Sequence, residues 1–216
     1  MKRAALHNLG CKVNAYELDI MQQNLQEKGY SIVPFDEMAD IYIVNTCTVT
    51  NIADRTSRQM LPQAKKRNPE AVVVAVGCYV QTADEEALRE QGIDLAIGNN
   101  RKKDLIPILE KYLAEHKQEE DASIDVNAPC DYGEMTLKHT AEHTRAYIKI
   151  QDGCNQFCSY CIIPYARGRV RSRRYEDIRR EMEGLAQSGY KEVVLTGIHI
   201  SSYGIDFSKE AWEQGE

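Results

Sequence analysis

Two patterns of apolar residues alternate along the first half of the chain. Short runs rich in β-branched residues, at 41–44 and 72–76, are typical of strands buried in a parallel sheet. Longer segments between them carry apolar residues at helical spacing. The patterns predict strands near 3–8, 31–33, 41–45, 71–76 and 94–97, and helices near 14–28, 52–67, 82–90 and 101–115. This alternation indicates an α/β fold with helices on the faces of a parallel sheet.

Glycine and hydroxyl residues mark the predicted helix ends. Gly29 and Gly92 each follow a helical segment, where glycine commonly terminates a helix. Thr82 is followed three residues later by Glu85, the pattern of a capping box. This pair predicts that the third helix begins at Thr82.

The regular patterns stop near residue 117 and resume near 144. Residues 117–143 are rich in charged and turn-forming residues, which predicts a linker or an edge structure crossing between domains. Beyond it, strands are predicted near 146–150 and 191–195, with a helix at 175–187 between them. One such β-loop-α-β unit is the opening of a (β/α) barrel. We therefore expect a sheet domain over 1–116, a linker over 117–143 and an incomplete barrel over 144–216.

Composition limits the possible classes of protein. The 216 residues are 43% hydrophobic, enough to bury a core, and no apolar run is long enough to span a membrane. We expect a cytoplasmic protein without a membrane partner, in which seven cysteines are metal ligands or free thiols rather than disulfides. The net charge of −6 does not favour nucleic acid, but residues 145–175 carry seven basic side chains against Asp152 alone.

Three cysteines share one short predicted loop. Cys154, Cys158 and Cys161 have the spacing Cys-x-x-x-Cys-x-x-Cys and follow a predicted strand. Three thiolates can hold three irons of a four-iron cluster and leave the fourth iron open to the amino and carboxylate groups of S-adenosylmethionine. A zinc loop or a set of structural thiols is the alternative, but the paired ligand units typical of zinc fingers are missing.

Three further cysteines each come directly after a predicted strand. In the flavodoxin-like strand order 2-1-3-4-5, the strands before Cys11, Cys47 and Cys78 are neighbours, about 4.8 Å apart. Their thiols can then meet over a span of roughly 10 Å. Gly10 and Gly77 allow close backbone approach beside two of them. Buried apolar cysteines and a zinc site are the alternatives that the sequence leaves open.

Other residues near the three-cysteine loop are candidates for ligand contact. Tyr160 can offer an aromatic face and backbone groups to an adenine, or simply pack the loop. Gly197 can let the backbone approach the methionine part of the same ligand, or serve only as a turn residue. No side chain is predicted as a catalytic acid or base. Cys130 has no partner in the pattern and is predicted to be a free thiol.

A basic stretch follows the loop. Its arginines, with Tyr165 and Tyr175 nearby for stacking, predict contact with an RNA strand. The alternative is a solvated face that pairs with neighbouring carboxylates. The candidate RNA-binding residues are Arg167, Arg169, Arg171, Arg173 and Arg174.

The motifs together resemble the methylthiotransferases of the radical S-adenosylmethionine superfamily. The matched stretches are 9–14, 45–50, 77–81 and a long run that begins at Gly153 and includes the three-cysteine loop. Within this family, Leu-Gly-Cys-Lys-Val-Asn at 9–14 resembles the branch that modifies threonylcarbamoyladenosine in tRNA. Lys12 and Val13 carry that choice. Asn8 and Val80 differ from the residues expected there, threonine and alanine.

The resemblance implies a fold and a reaction. A flavodoxin-like sheet domain would be followed by the beginning of a radical-SAM (β/α) barrel, so that the chain is an N-terminal part with weak activity or none by itself. Two [4Fe-4S] clusters are implied, one on Cys154, Cys158 and Cys161, the other on the remaining three candidate cysteines. Reductive cleavage of S-adenosyl-L-methionine gives a 5′-deoxyadenosyl radical that removes hydrogen from C2 of the adenine, where sulfur and then a methyl group are added.

The implied partners are a tRNA substrate and an electron donor such as a flavodoxin-type reductant. Two other functions stay open at this point. One is a methylthiotransferase that modifies an aspartate of a ribosomal protein. The other is a non-catalytic fragment that binds zinc or RNA.

Overall fold

The computed structural model of the chain describes residues 2–116, 132, 135–138 and 145–207. Helices and strands alternate through the first 116 residues, as the apolar pattern predicts. The elements in chain order are β1 (Arg3–Asn8), α1 (Lys12–Glu27), β2 (Ser31–Val33), β3 (Ile41–Thr46), α2 (Asn51–Arg67), β4 (Val72–Gly77), α3 (Cys78–Thr82), α4 (Glu85–Glu90), β5 (Leu95–Ile97), a 3-10 helix (Asn99–Asp104) and α5 (Leu105–Glu115).

The five strands form one parallel sheet in the order β2-β1-β3-β4-β5, which confirms the flavodoxin-like arrangement. One face of the sheet packs on α1 and α5 through residues such as Ile20 and Leu109. The other face packs on α2 through Leu61 and Ala64. Because both faces are covered, all six residues of β3 are buried, which explains its continuous apolar run.

The prediction of one helix over 82–90 is wrong. Thr82 ends α3, and its hydroxyl donates to the carbonyl of Cys78 at 3.0 Å instead of opening a helix. Ala83 is extended, and Asp84 caps α4 by accepting from the Ala87 amide at 2.7 Å. The capping box therefore misplaced the helix start, because the first helical turn begins directly at the end of β4.

The second unit contains a β-α-β arrangement, as predicted, with two additional short elements. Its elements are β6 (Ala146–Asp152), α6 (Ile163–Arg167), β7 (Arg171–Ser172), α7 (Tyr175–Gln187), β8 (Val193–Gly197) and a 3-10 helix (Ile200–Ser202). The sheet order is β7-β6-β8, with β6 and β8 parallel and β7 antiparallel. This is the opening of a (β/α) barrel with a short strand folded back on its first edge.

Helix α1 and a short segment of the predicted linker join the two sheets. Met135 and Leu137 are buried in the same apolar cluster as α1. The Tyr16 hydroxyl donates to the Met135 carbonyl at 2.7 Å, and the Lys138 amide donates to the Gln23 side chain at 2.7 Å. The described part of 117–143 thus packs against α1 where the chain crosses between the two units. Most of that range, including Cys130, lies outside the described residues, and the domain boundaries stay a prediction.

Candidate metal centres

The register of the first sheet brings two cysteines side by side. Thr46 and Gly77 are partners at the end of the β3–β4 ladder, and Cys47 and Cys78 are the residues that follow them. Cys11 follows β1 on the other side of β3 and lies directly before α1. All three cysteines line one cavity of about 650 Å³. The structure therefore brings together the three cysteines that the strand pattern predicted to meet.

Glycine at position 10 makes room for one of these thiols. Gly10 has a φ of +101°, and a β-carbon built there would lie 2.8 Å from the sulfur of Cys47. Such a contact is closer than real β-carbons show. The close approach inferred from sequence is thus a steric requirement of the thiol cavity.

Polar side chains that the sequence analysis did not single out fix the cysteine loops. The Ser57 hydroxyl accepts from the Cys47 amide at 3.1 Å and lies 3.0 Å from the Cys47 carbonyl. The Asn14 side-chain amide donates to the carbonyls of Leu9 at 2.7 Å and Thr46 at 3.0 Å. These bonds hold the loops after β1 and β3 against each other, so the cavity has a defined shape.

The thiols of this cavity differ in exposure and charge. Cys47 and Cys78 are buried, and Cys11 is exposed. Burial raises the pKa of the Cys47 thiol, the neighbouring Cys78 and Cys11 add to the rise, and a backbone hydrogen bond from Val49 opposes it. A bound cation would reverse this balance, because metal coordination deprotonates a thiol.

The donor set fits an iron–sulfur cluster. Thiolates are soft ligands that suit iron and sulfide. Within the described residues, no three His, Cys, Asp or Glu side chains are grouped as they would be around one metal ion. A four-iron cluster takes each thiolate on a different iron, so its ligands need not converge on one point.

The second set of cysteines lies at the C-terminal end of β6. The Cys154 amide donates to the Gly168 carbonyl at 3.0 Å, and the Cys161 amide donates to the Cys158 carbonyl at 2.9 Å. Gly153, with a φ of +71°, admits no side chain because a β-carbon there would lie 1.9 Å from the Arg169 carbonyl oxygen. Cys154 is buried, Cys161 half-buried and Cys158 exposed, so the three thiols of the loop differ in their access to solvent.

Aromatic and basic side chains surround this loop. Phe157 has a φ of +47° and is covered by the Arg169 guanidinium, 4.3 Å from the ring centroid. The Tyr165 ring meets the Phe157 ring edge-on at 6.0 Å. Tyr160 is 90% exposed, so its ring is free to meet a ligand.

Gly197 ends β8 and lies against the neighbouring strand. A β-carbon at Gly197 would lie about 3 Å from side-chain and backbone atoms of Gln151. The same Gln151 side chain accepts from the His199 amide at 2.8 Å. Gly197 also lines the 650 Å³ cavity beside the three cysteines of the first sheet. Gly197 therefore allows close packing against Gln151, and its backbone also faces the cavity of the candidate centre.

The structure corrects the RNA-contact prediction for two of the five arginines. Arg167 and Arg173 are each only 1% exposed and pair with internal carboxylates, so a phosphate cannot reach them in this conformation. Arg171 is mostly buried and donates to the Asn100 side chain and the Arg167 carbonyl. Arg169 and Arg174 are exposed.

Five ionised side chains form a buried group between the two units, here called the first charge centre. Glu17 of α1 accepts from Lys102 at 2.6 Å, Lys149 at 2.8 Å and Arg167 at 3.0 Å. Asp152 at the end of β6 accepts from the same lysine and arginine of the second unit. Burial alone would raise the pKa of Glu17, but the three cations outweigh burial and hold the pKa well below its ordinary value.

A smaller buried group lies at the same interface and is here called the second charge centre. Arg173 pairs with Glu181 of α7, and the Tyr16 hydroxyl lies 3.1 Å from both oxygens of that carboxylate. Glu181 also accepts from the Leu137 amide at 2.8 Å. Burial raises the pKa of Glu181, with Arg173 opposing the rise.

Two family models match the chain, one on each unit. Residues 3–98 match the uncharacterized protein family UPF0004, and residues 148–211 match the Radical SAM superfamily. The chain is 44% identical, over 94% of its length, to the threonylcarbamoyladenosine tRNA methylthiotransferase MtaB of Aquifex aeolicus. It is 41% identical, over 95% of its length, to the enzyme of the same name from Bacillus subtilis. The chain is therefore similar to the N-terminal part of radical S-adenosylmethionine methylthiotransferases.

The similarity extends to a second branch of the methylthiotransferase family. The chain is 34% identical, over 96% of its length, to the tRNA-2-methylthio-N(6)-dimethylallyladenosine synthase of Staphylococcus haemolyticus. It covers 50%, 46% and 41% of the lengths of the Aquifex, Bacillus and Staphylococcus proteins. The chain therefore spans about half the length of the curated relatives it matches.

A solved structure supports the fold of this chain. The radical S-adenosylmethionine methyltransferase TsrM of Kitasatospora setae matches all of this chain, and half of its own chain is covered, with a TM-score of 0.64 at 16% identity. That protein was solved with tryptophan and an S-adenosylmethionine analogue bound. At this identity the likeness concerns the fold alone. Within the described residues, the structure contains no helix long and apolar enough to cross a membrane.

The two charge centres are functional candidates that the sequence patterns did not predict. A signal for one of them was present in α1. Glu17 lies four residues after Val13 and four before Met21, in the middle of an apolar helix face. A carboxylate on such a face needs a buried partner. The sequence did not indicate which cations would supply it.

Proposed function

We propose that the chain is the cluster-binding portion of a tRNA methylthiotransferase that adds sulfur and a methyl group at C2 of N6-threonylcarbamoyladenosine, next to the anticodon. The observation that carries this proposal is the cavity lined by Cys11, Cys47 and Cys78, whose lining includes none of the three loop cysteines. Two thiol triplets support two [4Fe-4S] clusters rather than one.

The superfamily match supports an iron–sulfur cluster and S-adenosyl-L-methionine as cofactors. Cys154, Cys158 and Cys161 would hold the cluster that supplies an electron to S-adenosylmethionine. The first three cysteines would hold the cluster linked to sulfur insertion. Tyr160 and Gly197 would contact the nucleoside and methionine parts of the ligand. The protein positions these groups and excludes water; no acid or base side chain is assigned a step.

An RNA substrate is supported by the exposed surface beside the loop. Arg169 and Arg174 are exposed cations, and Tyr165 and Tyr175 are 58% and 54% exposed. Arginine forks suit phosphate, and tyrosine rings can stack on unpaired bases. The names of the relatives support tRNA as that substrate. A flavodoxin-type reductant would supply the electrons.

Iron counting tests the assignment of the two clusters. After anaerobic reconstitution, the chain should bind about eight irons and an equal number of sulfides, from two four-iron clusters. The double variant Cys154→Ala, Cys158→Ala and the double variant Cys47→Ala, Cys78→Ala should each retain about half of this iron. Cys130→Ala is the matched control and should retain all of it.

The same measurement separates the alternatives. A colourless protein with stoichiometric zinc would favour a non-catalytic metal-binding fragment. Loss of all iron from either double variant would contradict independent clusters. An unchanged iron count would contradict the assigned ligands.

The substrate is tested in cells that lack the gene. Mass spectrometry of tRNA nucleosides should show loss of the methylthio group from threonylcarbamoyladenosine, and the natural gene should restore it while its Cys158→Ala form does not. Loss of the methylthio group from a ribosomal-protein aspartate instead would favour the other methylthiotransferase branch. Loss of the methylthio group from dimethylallyladenosine would instead favour the activity named for the Staphylococcus relative.

A further inference from the structure

The first charge centre and the thiol cavity share a boundary. Arg167 lines the cavity together with Cys11, Cys47 and Cys78, and its guanidinium reaches Glu17 and Asp152 on the other side. The Asn99 side-chain amide lies 3.6 Å from the Cys78 sulfur and donates to the Ala166 carbonyl at 2.6 Å, next to Arg167. One residue of the second unit therefore connects the carboxylates with the cysteines of the first sheet.

The charges of this centre do not balance among the described residues. Three cations, Lys102, Lys149 and Arg167, meet two carboxylates, and Arg171 approaches Asp152 at 3.8 Å as a further cation. The side chains of Glu17 and Arg167 are each 2% exposed, so bulk solvent screens the excess charge only weakly. An uncompensated buried charge is costly, so an anion placed beside this group would be stabilised.

The thiol cavity offers a place for such an anion. Arg167 lines this cavity together with Cys11, Cys47 and Cys78, so its positive charge borders the space that a cluster would fill. The thiolates and sulfides of a cluster held there would supply negative charge.

We propose that Arg167, with Lys102 behind it, is a positioning residue that supplies the positive counter-charge of the cluster held by Cys11, Cys47 and Cys78. This inference rests on the proposed function, since it requires that cluster. Because Arg167 belongs to α6 and the cysteines belong to the first sheet, the electrostatic site is complete only where the two units meet.

A nearby positive charge stabilises the more reduced, more negative state of a cluster and raises its reduction potential. Replacing Arg167 with glutamine removes one positive charge from the wall of the thiol cavity. The potential of the cluster should fall. Glu17→Gln removes a negative charge from the same centre and should raise the potential. The two variants thus give shifts of opposite sign.

The test uses the full chain with Cys154, Cys158 and Cys161 changed to alanine, so that only one cluster remains. Its midpoint potential is measured by redox titration followed with electron paramagnetic resonance. In Arg167→Gln the ratio of oxidised to reduced cluster at a fixed potential should rise at least tenfold, equal to about 59 mV for a one-electron couple. Arg167→Lys keeps the charge and should stay near the parent value.

Arg173→Gln is the matched control. Arg173 is as buried as Arg167 and lies at the same interface, but it does not line the thiol cavity. Its midpoint should equal that of the parent. Equal midpoints in Arg167→Gln and Arg173→Gln would overturn the inference and leave the cluster assignment intact.

Two further outcomes are informative. If the parent with the three alanines binds no iron, the proposed function itself fails, and this inference fails with it. If circular dichroism shows that Arg167→Gln does not fold, Glu17→Gln and Lys102→Met replace it in the test. The midpoint potential should rise in Glu17→Gln and fall in Lys102→Met. Unchanged midpoints in those variants would contradict the counter-charge.

Discussion

The two charge centres lie at the same interface but are built differently. The second centre is balanced in charge, since Arg173 pairs with Glu181 and the neutral Tyr16 hydroxyl contacts both. The first centre joins more residues from more elements and keeps an excess of positive charge beside the cysteines. A neutral centre can fix the docking of two units, whereas a charged centre is suited to a further ligand. The comparison separates a structural contact from a candidate functional one.

Removing a carboxylate from each centre should give the largest difference between them. Glu17→Ala leaves three buried cations around Asp152 alone and should cost about 3–5 kcal/mol of unfolding free energy. Glu181→Ala leaves one buried cation, Arg173, and the Leu137 amide without this acceptor, and should cost less. Urea unfolding at neutral pH measures both, with the exposed Glu183→Ala as a control expected within about 0.5 kcal/mol of the parent. A greater loss in Glu181→Ala would reverse the ranking of the centres.

Glycine substitutions beside the two charge centres should give the next largest difference in unfolding free energy. The Gly153 amide donates to Asp152 of the first centre at 2.9 Å, and Gly153→Ala would place a β-carbon against the Arg169 carbonyl. We expect a loss of about 1–3 kcal/mol. Gly184 lies three residues after Glu181 in α7 with open space around it, so Gly184→Ala should be neutral or stabilising. Thermal unfolding checks both, and equal effects would contradict the steric argument.

The dependence of stability on pH should have opposite signs at the two centres. The folded-state pKa of Glu17 is depressed, so its contribution is present above the unfolded pKa of about 4.3 and is lost as the pH falls below it. The folded-state pKa of Glu181 is raised, so its contribution is present at low pH and is lost as the pH rises through that value.

Each group changes the unfolding free energy by at most about 1.4 kcal/mol per pH unit. Urea unfolding between pH 3 and pH 7 should therefore show a shallower acid loss in Glu17→Gln than in the parent. Glu181→Gln should show a steeper one, because the opposing contribution is gone. Parallel curves for the two variants would contradict the assigned pKa directions.

Removing the Tyr16 hydroxyl should have the smallest effect. Tyr16→Phe keeps the ring in the core but leaves the Met135 carbonyl and Glu181 without this donor. We expect a loss of about 1 kcal/mol with no change in reconstituted iron. Tyr165→Phe, on the exposed surface, is the control and should not change the unfolding free energy. A loss of iron in Tyr16→Phe would link the second centre to metal binding.

The sequence predicted the parallel sheet and the meeting of three cysteines because both follow from local signals. β3 and β4 are continuous apolar runs, and each is followed directly by a cysteine, so strand order alone brings those thiols to one edge. The short α6 and β7 were missed, since five and two residues are too few to show a period. The partners of Glu17 were missed because they come from residues up to 150 positions away.

Arg167 shows the limit of composition as a guide to function. In sequence it belongs to a basic stretch that indicates a phosphate-binding surface. In the structure α6 ends at Arg167, Gly168 follows with a φ of +76°, and Arg167 is buried while Arg169 is exposed. Which arginines of such a stretch are available to RNA depends on the packing of a five-residue helix, which no local pattern encodes.

Helix α1 has a consequence for how this chain can be divided. It covers the first sheet through Ile20 and also carries Glu17 and Tyr16, whose partners belong to the second unit. A fragment ended after residue 116 would expose a carboxylate and a phenol that are otherwise enclosed. The end of the first sheet domain in sequence is therefore not the end of a unit that folds by itself. Expressing the first sheet alone should yield a less stable, aggregation-prone product.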